Sequence, residues 1–382
     1  MRNAPAFLSY GFRPFFFGAS VYAAAAVPLW LWMHQTGAAP NGPFAGAAWH
    51  AHEMIFGYLA AVMAGFILTA IPNWTGRLPL SGTPLAILFS LWIVGRIACS
   101  TVGAPVAAMV LDLAFPTALC AAIWREVVAG RNWRNAPVAV LLTLFAGANL
   151  LHHIEGFRPE LAGSAVRLAL GVAAVLIALI GGRIVLSFTR NWLVKQGDPK
   201  LPAKFGNIDK LAIAFAVAAM LAWNAAPYHA ATGGLLVATG LLLLLRLARW
   251  RGIATLREPI VAVLHLGYLW LAASFLMLGF SLLRPGLLPE SAALHALTAG
   301  AIATMTLAVM TRATRGHTGR EIEADAATIA IYAAVNAGAL LRVAAPLVTE
   351  SQLALLAGGA LWSAGFALFA IRYGPMLLTR RR

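Results

Sequence analysis

Apolar stretches of about 20 residues, each long enough to cross a bilayer as a helix, recur along the chain between short polar connections. The pattern predicts spans near residues 15–34, 48–71, 83–101, 104–124, 136–156 and 163–187 in the first half. Six more are predicted near 209–227, 230–247, 259–283, 290–312, 325–347 and 351–373. The expected fold is therefore an all-α polytopic membrane protein of about 12 transmembrane helices, a single transmembrane domain over 1–382. The longest polar connection, 191–210, reads as a cytoplasmic linker between two halves.

Charge gives this pattern a direction. Connections after even-numbered spans hold Arg77; Arg125, Arg131 and Arg134; Arg190, Lys195, Lys200, Lys204 and Lys210; Arg246, Arg249, Arg251 and Arg257; and Arg312, Arg315 and Arg320. Those after odd spans hold only Arg158 and Arg284. With Arg380, Arg381 and Arg382 at the end, the excess of Lys and Arg predicts cytoplasmic N and C termini. A net charge of +15 is thus read as a topology signal, and nucleic acid is not an expected partner. Residues that are 61% hydrophobic and 11% charged cannot cover a water-soluble surface. No cleavable signal peptide is expected, since the order of basic, apolar and small residues it needs is missing at the start. Cys99 and Cys120 lie in or beside apolar runs and are expected to pack, with neither a disulfide nor a thiolate metal site foreseen. The opening Ser9 to Phe17 joins Arg13 to an aromatic cluster, a pattern that seats a first helix at the membrane interface.

Ionisable side chains at membrane depth are costly and usually functional, which directs attention to Trp49–Arg77, where His50, His52 and Glu53 stand at the mouth of the second apolar run. His50 and Glu53 share a helix face, whereas His50 and His52 point about 200° apart on an ideal helix. The two histidines then serve different centres, or the first turn is unwound around one metal. The fifth span ends in Leu151-His152-His153-Ile154-Glu155, at the same expected outer depth, and repeats the His-x-x-Glu spacing. Each carboxylate, Glu53 and Glu155, can orient a ligating imidazole or relay protons. Adjacent histidines diverge by about 100°, so one of the pair is expected to bind, and His152 is the choice. His295 lies in the first turns of the tenth span, again at that depth, and Arg96, Arg167 and Arg342 stand toward the outer ends of spans three, six and eleven, wanting anionic partners. His265 stands apart, about two turns from the other face, and is expected to be a packed residue.

A short internal repeat links these spans. His52 precedes Thr75-Gly76-Arg77 by the offset with which His295 precedes Thr318-Gly319-Arg320, and Gly57 matches Gly300. Leu68-Thr69 before Asn73-Trp74 resembles Leu186-Ser187 before Asn191-Trp192. Spans two, six and ten are spaced by four, so three four-helix units are conceivable.

Ser9–Phe16, Trp49–Tyr58, Asn73–Arg77, Phe188–Leu193 and Leu294–Arg320 resemble the NnrS family of bacterial inner-membrane proteins. The His-Ala-His-Glu-Met run and the Gly-His-Thr-Gly-Arg ending are the specific parts of a likeness that covers nearly the whole chain. The resemblance implies a multi-pass protein of the bacterial inner (cytoplasmic) membrane, connected with nitric oxide metabolism, denitrification and nitrosative stress and containing haem and copper. It assigns no individual ligands. A twelve-helix chain with histidines near the outer ends of spans two and ten also resembles haem-copper oxidases and their nitric oxide reductase relatives, where those helices supply axial haem ligands. The sixth and seventh spans here lack the histidines that copper takes in those enzymes.

Joined to depth and spacing, the likeness leads to the expectation that His52 and His295 hold a haem b, with Arg96, Arg167 and Arg342 available to its propionates. His50 and His152, with His153 as a further candidate, would build a nearby copper site for nitric oxide, imidazole suiting either metal. Glu53 and Glu155 would move protons, with electrons from a donor the sequence does not name. The expected role is nitric oxide metabolism or detoxification, with reduction near the periplasmic side as the candidate reaction. A haem-based sensor or scavenger without turnover is the second reading, and a secondary transporter the third.

Overall fold

The computed structural model describes residues 5–348 and 351–380; the terminal Arg381 and Arg382 used for topology lie outside the described residues. All regular structure among the described residues is helical. Twelve helices are long and apolar enough to cross a membrane: α1 (Phe12–Thr36), α2 (Gly46–Pro72), α3 (Thr83–Thr101), α4 (Pro105–Ala129), α5 (Trp133–Glu155), α6 (Pro159–Lys195), α7 (Asn207–Ala225), α8 (Ala230–Ala248), α9 (Pro259–Leu283), α10 (Glu290–His317), α11 (Ala326–Leu347) and α12 (Gln352–Leu378). Each coincides with one predicted span. Helices are the only open-chain structures that satisfy every backbone polar group within lipid, which is why apolar run length alone finds them.

Helices α9 to α12 each begin 243–247 residues after α1 to α4, at 259 against 12, 290 against 46, 326 against 83 and 352 against 105. The second helix of each group of four also departs from α-geometry. Wider π-helical stretches occupy Glu53–Leu59 in α2, Ile177–Gly181 in α6 and Ala296–Ile302 in α10. Such stretches unsettle the backbone hydrogen-bond ladder and gather at functional positions. In each, one carbonyl takes a donor from a neighbouring span: Gly57 O from Trp92 Nε1 at 2.9 Å, Ala178 O from Arg246 Nη1 at 2.6 Å, and Ala299 O from Trp362 Nε1 at 3.3 Å. The link between spans two, six and ten thus has a local backbone counterpart.

By contacts the chain divides into two compact units, residues 1–169, 313–320 and 366–382 in one and 170–312 with 321–365 in the other. Three of their four boundaries fall inside α6, α10 and α12, because a long helix is free to pack its two ends against different neighbours. The polar connection 191–210 lies within the second unit.

In the first unit α3 packs along α4, α4 along α5, and α1 along α2. The opening motif does more than seat α1 at an interface. Phe12, Phe15 and Phe16 are fully buried, and Arg13 Nη1 donates to the carbonyls of Met376, Leu377 and Thr379 at 2.9–3.1 Å, capping the otherwise unpaired C-terminal carbonyls of α12. In the second unit α8 and α9 pack closely through glycines, and a Cβ on Gly279 would stand 2.7 Å from Gly233 O.

A candidate metal centre in the first unit

The ends of α2, α3, α4 and α5 bring four charged or metal-ligating residue types to one buried place. His52 is the last residue before the π-helical stretch of α2, and His52 and Glu53 are wholly buried. Glu53 Oε1 meets His52 Nδ1 at 2.8 Å and Glu53 Oε2 accepts from Arg96 Nη1 at 2.6 Å. Tyr22 of α1 also donates to Glu53 Oε2. On the other side of the imidazole, His52 Nε2 faces Asp112 Oδ2 at 3.2 Å and Asn149 Oδ1 at 3.0 Å. Asp112 further accepts from Arg96 Nη2, from Asn149 Nδ2 at 2.9 Å and faces His153 Nε2 at 3.1 Å. Close approach of α3 and α4 depends on Gly95, where an added Cβ would lie 2.8 Å from Asp112 Oδ1.

The ligand atoms of His52, Cys99, Asp112 and His153 all lie within 4.8 Å of one another. Two imidazoles, a thiol and a carboxylate form a donor set suited to a transition metal such as copper or zinc and unlike the all-oxygen sets of magnesium or calcium. Charge supports the same reading. Glu53 and Asp112 bring two carboxylates against the single guanidinium of Arg96, so one further positive charge, a second proton on His52 or a bound cation, would balance the site. Both ring nitrogens of His52 face acceptor oxygens, an arrangement satisfied by a proton on each or by a cation in place of one.

A haem fits the surroundings of His52 poorly. A porphyrin needs a flat space beside its axial imidazole, and here the rings of Phe44, Phe56, His152 and His153 stand around His52 with centroids 4.5–5.4 Å away. His295, in the second unit, is different: Nδ1 donates to Ser291 O at 2.7 Å, which leaves Nε2 available as a ligand atom. An imidazole held from behind by a carbonyl is the usual arrangement of a metal-ligating histidine.

The remaining expected residues fall in several places. His50 points away from His52, as helix geometry requires, and stacks on Trp30 of α1 at 4.3 Å. Of the adjacent pair His152 and His153, the structure brings His153 into the cluster. His153 reaches Asp112, whereas His152 is buried with neither ring nitrogen hydrogen-bonded and with Nδ1 3.8 Å from Glu155 Oε2. Glu155 Oε1 accepts instead from the Ala165 amide at 2.7 Å, capping the start of the next helix. Arg96 finds anionic partners in Glu53 and Asp112, and Arg167 Nη2 donates to Ser164 Oγ at 3.0 Å. Cys99, expected only to pack, belongs to the cluster.

Asp112 and Asn149 were not singled out from the sequence. Asp112 stands in Val110-Leu111-Asp112-Leu113-Ala114, a lone carboxylate inside an apolar span, and the rule that such residues are functional would have found it.

The sequence matches the NnrS protein family over residues 6–381. The chain belongs to the NnrS family. No curated protein matches it. As an NnrS protein the chain is a multi-pass membrane protein with a buried His/Cys/Asp/His cluster that could hold a metal ion.

Proposed function

We propose that this NnrS protein is a metalloprotein of the bacterial inner membrane that acts in nitric oxide metabolism or detoxification. Copper is placed at His52, Cys99, Asp112 and His153, and haem b on His295 with Arg342 toward a propionate. The observation that carries the reading is the convergence of four transition-metal ligand atoms from α2, α3, α4 and α5 in a buried site. Copper at that centre would supply a one-electron redox couple able to bind a small neutral gas. The protein's own residues would do the rest: Arg96 balances the carboxylates, Asn149 holds Asp112, and Glu53 fixes the tautomer of His52 and carries a proton between Tyr22 and the imidazole. Glu155, near the otherwise unbonded His152, is the second proton carrier. Both termini are assigned to the cytoplasm, so that the cluster faces the periplasmic side. In support, Arg77 after α2 pairs at 2.5 Å with Glu126 at the end of α4, which puts the basic ends of two even-numbered spans together.

Binding without turnover is the second reading, favoured by the complete burial of His52 and the occupation of both its ring nitrogens. The two separate in an anaerobic nitric oxide electrode measurement on the purified protein with a chemical reductant. Sustained consumption beyond one equivalent per chain, abolished in His153→Ala, is the expected result. Uptake that stops at one equivalent assigns the protein as a sensor or scavenger, and no uptake at all overturns both.

A further inference from the structure

The second unit contains a cavity of about 690 Å³ with no part in the metal reading, bounded by α8, α9, α11 and the connection between α8 and α9. Its wall is apolar for the most part, with Leu247, Leu256, Val263, Leu266, Leu269 and Ile329 among the lining residues. That volume suits a ligand of drug size. His265 also lines it, and the state of that ring follows from its neighbours. Thr189 Oγ1 gives its only proton to Val185 O at 2.8 Å, so at 2.8 Å from His265 Nε2 it can only accept. The Nε2 nitrogen therefore carries the proton of a neutral imidazole, and Nδ1 is a bare acceptor.

That acceptor has no partner. His265 is 7% exposed and its Nδ1 is buried without a hydrogen bond, an arrangement that costs free energy until a donor arrives. Gly252, which shares the cavity wall, lies directly against this ring: a Cβ there would stand 2.6 Å from Nδ1. Near the same wall Arg251 is held through Nη1 by Asp198 Oδ1 at 2.9 Å and by the Lys200 carbonyl, so its charge is balanced within the protein and does not select an anion.

We propose that this cavity binds a membrane-dissolved molecule with an apolar body and a hydroxyl head, an alkyl hydroquinone, whose O–H donates to His265 Nδ1. A fatty-acid carboxylate offers that nitrogen no donor, and a phospholipid chain fills the apolar wall but leaves Nδ1 unpaired. A hydroquinone meets both demands and reaches the site by partitioning from the bilayer. The inference is independent of the metal centre.

The test uses the full-length protein purified in detergent and titrated by calorimetry with decylhydroquinone and with its dimethyl ether, which keeps the shape and loses the donors. Saturable binding of the hydroquinone about tenfold tighter than the ether is expected, the usual worth of one hydrogen bond in an apolar site. In His265→Leu the two ligands should bind within about twofold of each other, because only the donor's partner is gone. Gly252→Ala should weaken the hydroquinone more than the ether. Equal affinities in the unaltered protein would assign the cavity to lipid chains and overturn the proposal, as would absent saturation or a preference that survives in Gly252→Ala. The comparison of ligands on the unaltered protein decides the matter even where a variant fails to fold.

Discussion

Arg96 is the residue on which the charge balance of the cluster turns. Its guanidinium bridges Glu53 and Asp112 across α2 and α4, with all three side chains almost wholly buried. Removing one partner from such a group leaves uncompensated charge in a place water does not reach. Arg96→Met is therefore expected to lower stability by about 3–5 kcal/mol, read as a fall in the thermal midpoint in detergent. Adding Glu53→Gln to that variant should restore part of the loss, since one of the two stranded carboxylates becomes neutral; a further fall would mean that Arg96 is not what balances Glu53. At the same scale, what the sequence made legible was residue type more than residue choice. The histidines and Glu53 stood out because charge in an apolar run is rare. The sequence favoured His152 while the cluster takes in His153, because a 100° step separates neighbours on a helix but does not say which faces Asp112 on another span. Cys99 was passed over because a thiol in an apolar run is ordinary packing until partners from other helices are known.

At the scale of elements, glycine positions set how closely helices approach. A Cβ on Gly279 would meet the Gly233 carbonyl and a Val237 methyl, both at 2.7 Å. Overpacking of this kind costs about 1–3 kcal/mol, so Gly279→Leu should lower the thermal midpoint. Gly147 in α5 has nothing within 4 Å of an added Cβ, and Gly147→Ala should leave the midpoint unchanged or raise it; equal losses in both variants would contradict the role of α8–α9 packing. A second expectation concerns the connections around α7 and α8. The Arg251 guanidinium, by hydrogen bonding to Asp198, holds that carboxyl below its ordinary value. A carboxyl depressed in the folded state stabilises it above its unfolded value of about 3.9 and stops doing so as pH falls through the lower, folded value. Limited proteolysis near residues 196–204 should be faster in Asp198→Asn than in the parent at pH 7, and the two should converge in acid below that range. Persistence of the difference in acid would show that the ion pair does not hold the connection. The π-helical stretches were not legible from the sequence, since apolar periodicity over a few residues does not distinguish 3.6 residues per turn from a wider turn, although the repeat of His52 with Gly57 and His295 with Gly300 marked two of the three places.

For the whole molecule, twelve spans were readable because membrane-spanning length and composition are properties of single segments. The grouping of those spans was not, because contacts between helices depend on which faces carry glycine, arginine and carboxylate, and those faces meet only in three dimensions. The same is true of the metal centre: four spans contribute to it, and no two of its four ligand residues are closer in sequence than 13 positions, Cys99 to Asp112. Orientation can be tested by reporter fusion. Green fluorescent protein at the C-terminus should fluoresce and alkaline phosphatase at the same point should stay inactive, as a cytoplasmic terminus requires; the opposite pattern would place the cluster on the inner side.

The most direct test of the central claim is metal content with the visible absorption spectrum of the purified protein and two neighbouring variants. About one copper per chain is expected in the parent, lost in His153→Ala and retained in His152→Ala, since only His153 belongs to the four-residue cluster. Copper retained in His153→Ala, or lost equally in both, would contradict the assignment of the buried cluster as the metal centre.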